Sequence, residues 1–140
     1  MAQRLDITIK NSLEEFSRLV EAVAVFLSEH EVSAKVDFTV NLVVEEAVLN
    51  VINYAYPTQG EHDINFSMSI HGRELTLYLS DAGRPYDPLA RPDPNIDAPI
   101  DEREVGGLGV HLIKKTCKHV AYTHEAGENR LTMVVDLDAK

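Results

Sequence analysis

Glu46, Asn50 and Asn53 stand at i, i+4 and i+7 in the stretch Val43-Val44-Glu45-Glu46-Ala47-Val48-Leu49-Asn50-Val51-Ile52-Asn53-Tyr54. On an α-helix that spacing places a carboxylate and two amides on one narrow stripe. Val40, Val44, Ala47, Val48, Val51, Ile52 and Ala55 occupy the opposite side, so the helix is apolar over most of its circumference and belongs in a core. Burying three such polar groups costs several kcal/mol unless something pairs with them. A hydrated metal ion with its ligand is one candidate, and an internally satisfied polar cluster is the other. Downstream, Asp81-Ala82-Gly83 ends an apolar strand pattern. It reads either as a plain turn or as a carboxylate that accepts a hydrogen bond from an exocyclic amine, with Gly83 letting a flat base approach. Further on, Gly106-Gly107-Leu108-Gly109 opens a helical pattern. Exposed backbone N–H groups at a helix start suit phosphates, and a hinge is the alternative. Neither of the two common phosphate-binding fingerprints is present.

The elements that must position these groups follow from periodicity. Residues 4–10 alternate as a strand carrying Leu5, Ile7 and Ile9, and Ser12 with Glu15 has capping-box spacing for a helix whose apolar face is Phe16, Leu19, Val20, Val23, Phe26 and Leu27. Ser33 caps a second helix expected to run to about Tyr56, where Pro57 ends it. Its many β-branched residues have poor helix propensity, so packing on more than one side must hold it. Ile64 to Ile70 and Leu75 to Leu79 alternate around Gly72 as a hairpin. The segment 84–105 holds five of the six prolines and six acidic residues, and its length inside a compact domain marks it as a lid. A third helix then buries Val110, Leu112, Ile113 and Cys117, and a last hairpin turns at Gly127 and carries Leu131, Met133, Val135 and Leu137. The order predicts a single domain over 1–140: a two-layer α/β (α+β) sandwich, with helices on one face of a mixed, mostly antiparallel sheet.

Composition sets the limits. The 140 residues are 44% hydrophobic and 26% charged, ordinary for a globular domain. A net charge of −10, from 23 acidic and 13 basic residues, argues against a nucleic-acid surface, which needs clustered Lys and Arg. It leaves nucleotide binding open, since backbone amides and a metal meet phosphates locally. The lone Cys117 excludes an internal disulfide and fits a reducing cytoplasm. Lys115, Lys118 and His119 are its basic neighbours, yet a buried structural thiol is the expectation. There is no signal-peptide pattern and no apolar run long enough for a membrane span. The six histidines show no paired ligand spacing.

Taken in order, the helix stripe, the strand-end Asp-x-Gly and the lid with its glycine-rich helix start resemble the GHKL (Bergerat-fold) ATPases, which carry the histidine-kinase-like ATPase domain. More narrowly, they resemble the anti-sigma-factor serine/threonine kinases of bacteria. Glu46-x-x-x-Asn50 is similar to the family's N box, Asp81-x-Gly83-x-x-Tyr86-Asp87 to its first glycine box and Gly107-x-Gly109 to its second. The resemblance spans about residues 10 to 137. It implies ATP and Mg²⁺ as cofactors, with Asn50 binding the metal through its side-chain oxygen and Glu46 as general base for a substrate hydroxyl. It also implies Asp81 reading the adenine amino group, Gly83 making room for the ring, and Gly107 and Gly109 turning amides toward the phosphates. Asn53, Tyr86, Gly106 and Leu108 would complete the nucleotide site. A STAS-type anti-anti-sigma protein as substrate, a sigma factor as second partner and a homodimer are implied as well. Two departures stand out: Tyr54 where many members have His, and Val105 where an Arg is frequent, with Arg103 nearby. The missing Arg bears on phosphoryl transfer more than on ATP binding. A nucleotide-gated binding module and a simple ATPase are therefore the alternative readings.

Overall fold

The computed structural model describes residues 3–55, 60–85 and 113–138. Strand β1 (Arg4–Lys10) leads into helix α1 (Leu13–Glu29), whose first turn is capped by Ser12 accepting from the Glu15 N–H at 3.2 Å. The Glu15 carboxylate does not return to Ser12, as a capping box would have it. It accepts from the Lys10 N–H at 3.2 Å and pairs with Arg18, which also donates to the Thr8 carbonyl at 2.6 Å. The helix start is thereby tied to the strand before it.

Helix α2 (Ala34–Asn50) is capped by Ser33, which accepts from the Val36 N–H at 3.1 Å. Val36, Val40, Val43, Val44, Ala47 and Val48 are all buried, so packing offsets the low helix propensity of its β-branched residues. The expected continuous helix to about Tyr56 differs from the structure in one respect. After Asn50 the chain widens into a π-helical turn, Val51–Ala55. β-Branched Val51 and Ile52 and the poor helix former Asn53 make the α conformation cheap to leave here. The end of the turn is anchored from outside, because the Ala55 carbonyl accepts from the Arg84 N–H at 2.9 Å.

Strands β2 (Asp63–His71), β3 (Glu74–Asp81), β4 (His119–Glu125) and β5 (Glu128–Asp136) join β1 in a five-stranded sheet of order β1-β2-β3-β5-β4. Every described pair is antiparallel, so the mixed character expected from sequence is absent among the described residues. Register aligns apolar residues in rows across the sheet, for example Ile7–Phe66–Leu79–Leu131–Tyr122. Helix α1 packs on β1 and helix α2 on β5, covering that face. Each fully buried Leu, Ile or Val there contributes about 1.5–3 kcal/mol, which is why alternation at period two decides the register. The β4–β5 turn places Ala126 and Gly127 at φ 53° and 78°, the paired left-handed geometry of a tight two-residue hairpin. Residues 113–116 are helical and Ile113 is buried, while Val110 and Leu112, expected on the same helix, lie outside the described residues.

Candidate functional site

Asp81 continues the core-facing series Leu75, Leu77, Leu79, which puts a carboxylate where the alternation calls for an apolar side chain. It is 3% exposed. Its Oδ1 accepts from the Gly83 N–H at 2.9 Å and from Asn129 Nδ2 at 3.0 Å. Asn129 lies directly opposite Asp81 in the β3–β5 register and repeats the same anomaly, an amide ahead of Leu131, Met133 and Val135. Its Nδ2 also donates to the Arg84 carbonyl at 2.8 Å, and its Oδ1 accepts from the Tyr122 hydroxyl. Sequence reasoning singled out neither Asn129 nor Tyr122. A polar residue at a core-facing position of an otherwise apolar strand is the signal that finds Asn129, whereas Tyr122 sits on a mixed strand that carries no such signal.

Across from this network, Asn50 is 6% exposed and its Nδ2 is buried with no hydrogen-bond partner among the described residues. Asn50 and Asp81 face the same cavity, whose helix side is completed by Ala47, Val51 and Ala55 and whose sheet side by Leu79, Tyr122, Asn129 and Leu131, with Ile113 at the third helix. Apolar walls with a few convergent polar groups are the usual make-up of a small-molecule site. An orphaned buried amide is costly in a finished core, so its presence here suits a polar ligand. A carboxamide can present oxygen as well as nitrogen, which suits a metal as well as a donor-seeking group.

Glu46 is half-buried one helical turn before Asn50 and is not part of the cavity wall. Among the described residues it has no hydrogen bond or ion pair. Burial first, and the neighbouring Glu45 charge second, push its carboxyl above the ordinary glutamate range. Asn53 is exposed. The wider π-turn changes the angular spacing after Asn50, so the i+7 relation to Glu46 no longer defines one stripe.

Gly83 is buried, and a Cβ there would stand 2.5 Å from the Ala55 carbonyl oxygen and 2.8 Å from the Ala55 Cβ. The space freed by this glycine is filled by the end of the π-turn, so the chain's own packing requires glycine here. Burial raises the Cys117 thiol to about 11, in line with a structural cysteine. Among the described residues there is no cluster of three or more His, Cys, Asp or Glu that could hold a metal, and no helix long and apolar enough to cross a membrane. Tyr86, Gly106, Gly107, Leu108 and Gly109, Arg103, Val105, Pro57, the side chain of Tyr54 and all but the first two residues of the segment 84–105 lie outside the described residues.

A two-layer sandwich whose second helix and third strand present an amide and a carboxylate to one apolar cavity has the architecture of a nucleotide-binding ATPase domain. Comparison with known proteins assigns it. The family model described as histidine kinase-like ATPase domain matches residues 9–135, and the chain belongs to that family. Membership of an ATPase family implies the use of ATP. Serine/threonine-protein kinase BtrW of Bordetella bronchiseptica is 29% identical over 101 residues, 72% of this chain and 71% of that protein. A crystal structure of the RsbU and RsbW domains of a Mycobacterium tuberculosis protein superposes with a TM-score of 0.66 at 13% identity, covering 96% of this chain. The chain spans 32% of that structure, and at this identity the likeness is one of fold.

Proposed function

We propose that this protein is an ATP-dependent protein serine/threonine kinase of the anti-sigma-factor type, acting in the cytoplasm on a STAS-type anti-anti-sigma protein. The observation that carries the reading is the shared cavity of Asn50 and Asp81, with a partly desolvated Glu46, unpaired among the described residues, one turn away. Asp81 would accept a hydrogen bond from the adenine amino group, and Asn50 would hold Mg²⁺ through its side-chain oxygen, where the ion would supply charge neutralisation to the phosphates. Tyr86, Gly106, Gly107, Leu108 and Gly109 complete the nucleotide site, with Gly107 and Gly109 turning backbone amides to the phosphates. Bound ATP supplies the transferable phosphoryl group. Glu46 orients the substrate hydroxyl and takes up its proton, a role suited to a carboxylate whose affinity for protons is raised. The relationship to a protein named as a serine/threonine kinase supports a protein hydroxyl as acceptor. A sigma factor is the second partner in this reading, and a homodimer the working assembly.

Incubation with Mg-ATP and a STAS-type protein should yield phosphoserine or phosphothreonine on that protein. Glu46→Ala should abolish the transfer while ATP still binds. Equal transfer by the variant would remove Glu46 from the mechanism. ATP binding that changes partner affinity without forming a phosphoprotein would make the chain a nucleotide-gated binding module. Steady hydrolysis without partner would make it a simple ATPase.

A further inference from the structure

Three polar side chains on three adjacent strands form a connected line into the cavity: Tyr122 on β4, Asn129 on β5 and Asp81 on β3. Asn129 is 6% exposed and both its N–H bonds are used, one on Asp81 Oδ1 at 3.0 Å and one on the Arg84 carbonyl at 2.8 Å. Tyr122 donates to the other end of the same amide. If the amide were turned over, its oxygen would face two acceptors, Asp81 Oδ1 and the Arg84 carbonyl, and only the tyrosine oxygen would be left to accept from its nitrogen. Donors and acceptors therefore agree on one orientation. With Gly83 as second donor, Oδ1 of Asp81 is held from two sides, while among the described residues Oδ2 has no partner.

We propose that Asn129 and Tyr122 are positioning residues that set the nucleobase specificity of the cavity by fixing the Asp81 carboxylate with one oxygen occupied and the other offered as a pure acceptor. The proposal rests on the reading of Asp81 as the base-recognising group. A carboxylate oxygen fixed in a buried site accepts the 6-amino group of adenine and opposes the 6-oxo group of hypoxanthine, because an acceptor facing an acceptor leaves both unpaired. A carboxylate free to rotate can relax away from the wrong base and discriminates less. The tyrosine acts at one remove: it fixes the amide, and the amide fixes the acid.

The test is calorimetric titration of the full chain with Mg-ATP and with Mg-inosine triphosphate, for the parent, Tyr122→Phe, Asn129→Leu and Asp81→Asn, each with a thermal melt. The parent should prefer ATP by roughly 10- to 150-fold, the range for a hydrogen bond to a charged group. Tyr122→Phe should lower that ratio several-fold, and Asn129→Leu should lower it further. A merely structural role would weaken both nucleotides equally and leave the ratio untouched. That result, or a parent without preference, overturns the proposal. If Asn129→Leu does not fold, Tyr122→Phe decides alone, since it removes one hydroxyl from a half-buried ring. Asp81→Asn separates the two levels of the argument. If it leaves ATP affinity and the ratio unchanged, the reading of Asp81 itself fails. If it abolishes binding while both other variants keep the parental ratio, only the positioning role fails.

Discussion

The molecule carries two carboxylates beside one cavity and treats them in opposite ways. Asp81, on the sheet side, is 3% exposed yet receives two donors on Oδ1 and sits in a network that reaches across three strands. Glu46, on the helix side, is half-buried with no partner among the described residues, and its carboxyl is held above the ordinary range by burial and by Glu45. A carboxylate satisfied in advance is rigid and serves recognition, because its geometry does not change when a ligand arrives. A carboxylate left desolvated and unpaired is reactive toward protons. Asn50, on the cavity wall one helical turn after Glu46, has a buried Nδ2 with no partner among the described residues. The sheet side is thus finished before any ligand binds, and the helix side is left for the ligand to finish.

The contrast predicts different losses from the two sides. Removing the Glu46 carboxylate should lower phosphoryl transfer by about 10²–10⁴-fold, the usual contribution of a general base, with ATP affinity changed only a few-fold. The pH dependence follows from the sign of the shift. A general base works when ionised, so in the proposed role the raised pKa of Glu46 should move the acid limb of the rate profile upward from the ordinary glutamate position. The folded state holds the Glu46 proton more tightly than the unfolded chain, so this group's contribution to stability falls as pH rises through that window. Glu46→Gln should therefore be slower in transfer yet no less stable at neutral pH, checked by chemical denaturation. On the sheet side the largest loss is in affinity. Asp81→Asn should weaken ATP binding by roughly 10- to 150-fold, because an amide there retains an oxygen but no charge. Unchanged affinity would erase the contrast.

A smaller effect tests how the two sides are joined. Gly83→Ala would drive a Cβ to 2.5 Å from the Ala55 carbonyl oxygen and 2.9 Å from Asp81 Oδ1. Overpacking of this kind costs about 1–3 kcal/mol, so the melting temperature should fall by several degrees. ATP affinity should fall with it, since the displaced atoms belong to the π-turn that follows Asn50 and to the acid itself. A variant as stable as the parent would show that the π-turn yields freely.

What the sequence made legible and what it hid have physical causes. Strand alternation and the Ser12 and Ser33 caps located the described strands and helices, because a buried face at period two or 3.6 leaves little freedom. Asp81 and Asn50 were found as polar residues in apolar surroundings, and they do share a cavity. The π-turn was invisible: Val51 to Ala55 reads as helix, and its widening is tied to a tertiary bond from Ala55 to Arg84, far along the chain on the other side of the β2–β3 hairpin. That turn is also why Asn53, matched to Asn50 by spacing, is exposed. Asn129 was visible only as an amide in an apolar series; that it meets Asp81 was hidden, because the order β3-β5-β4 is a long-range pairing that local pattern does not encode.

The smallest expected effect is the sharpest test of the helix side, because it leaves both candidate functional groups in place. Glu45 is exposed and adjacent to Glu46, and its charge is the second cause, after burial, of the raised Glu46 pKa. Glu45→Gln removes that like charge and keeps the side chain's size, so the Glu46 pKa should move down and the acid limb of the transfer rate should shift to lower pH. The rate on the plateau should fall slightly, since a weaker base accepts the substrate proton less readily. Added salt should reproduce part of the shift in the parent and none of it in the variant, because screening acts on the exposed charge and not on desolvation. A profile that moves with salt equally in both proteins would assign the shift to burial alone and leave Glu45 without a part in tuning the base.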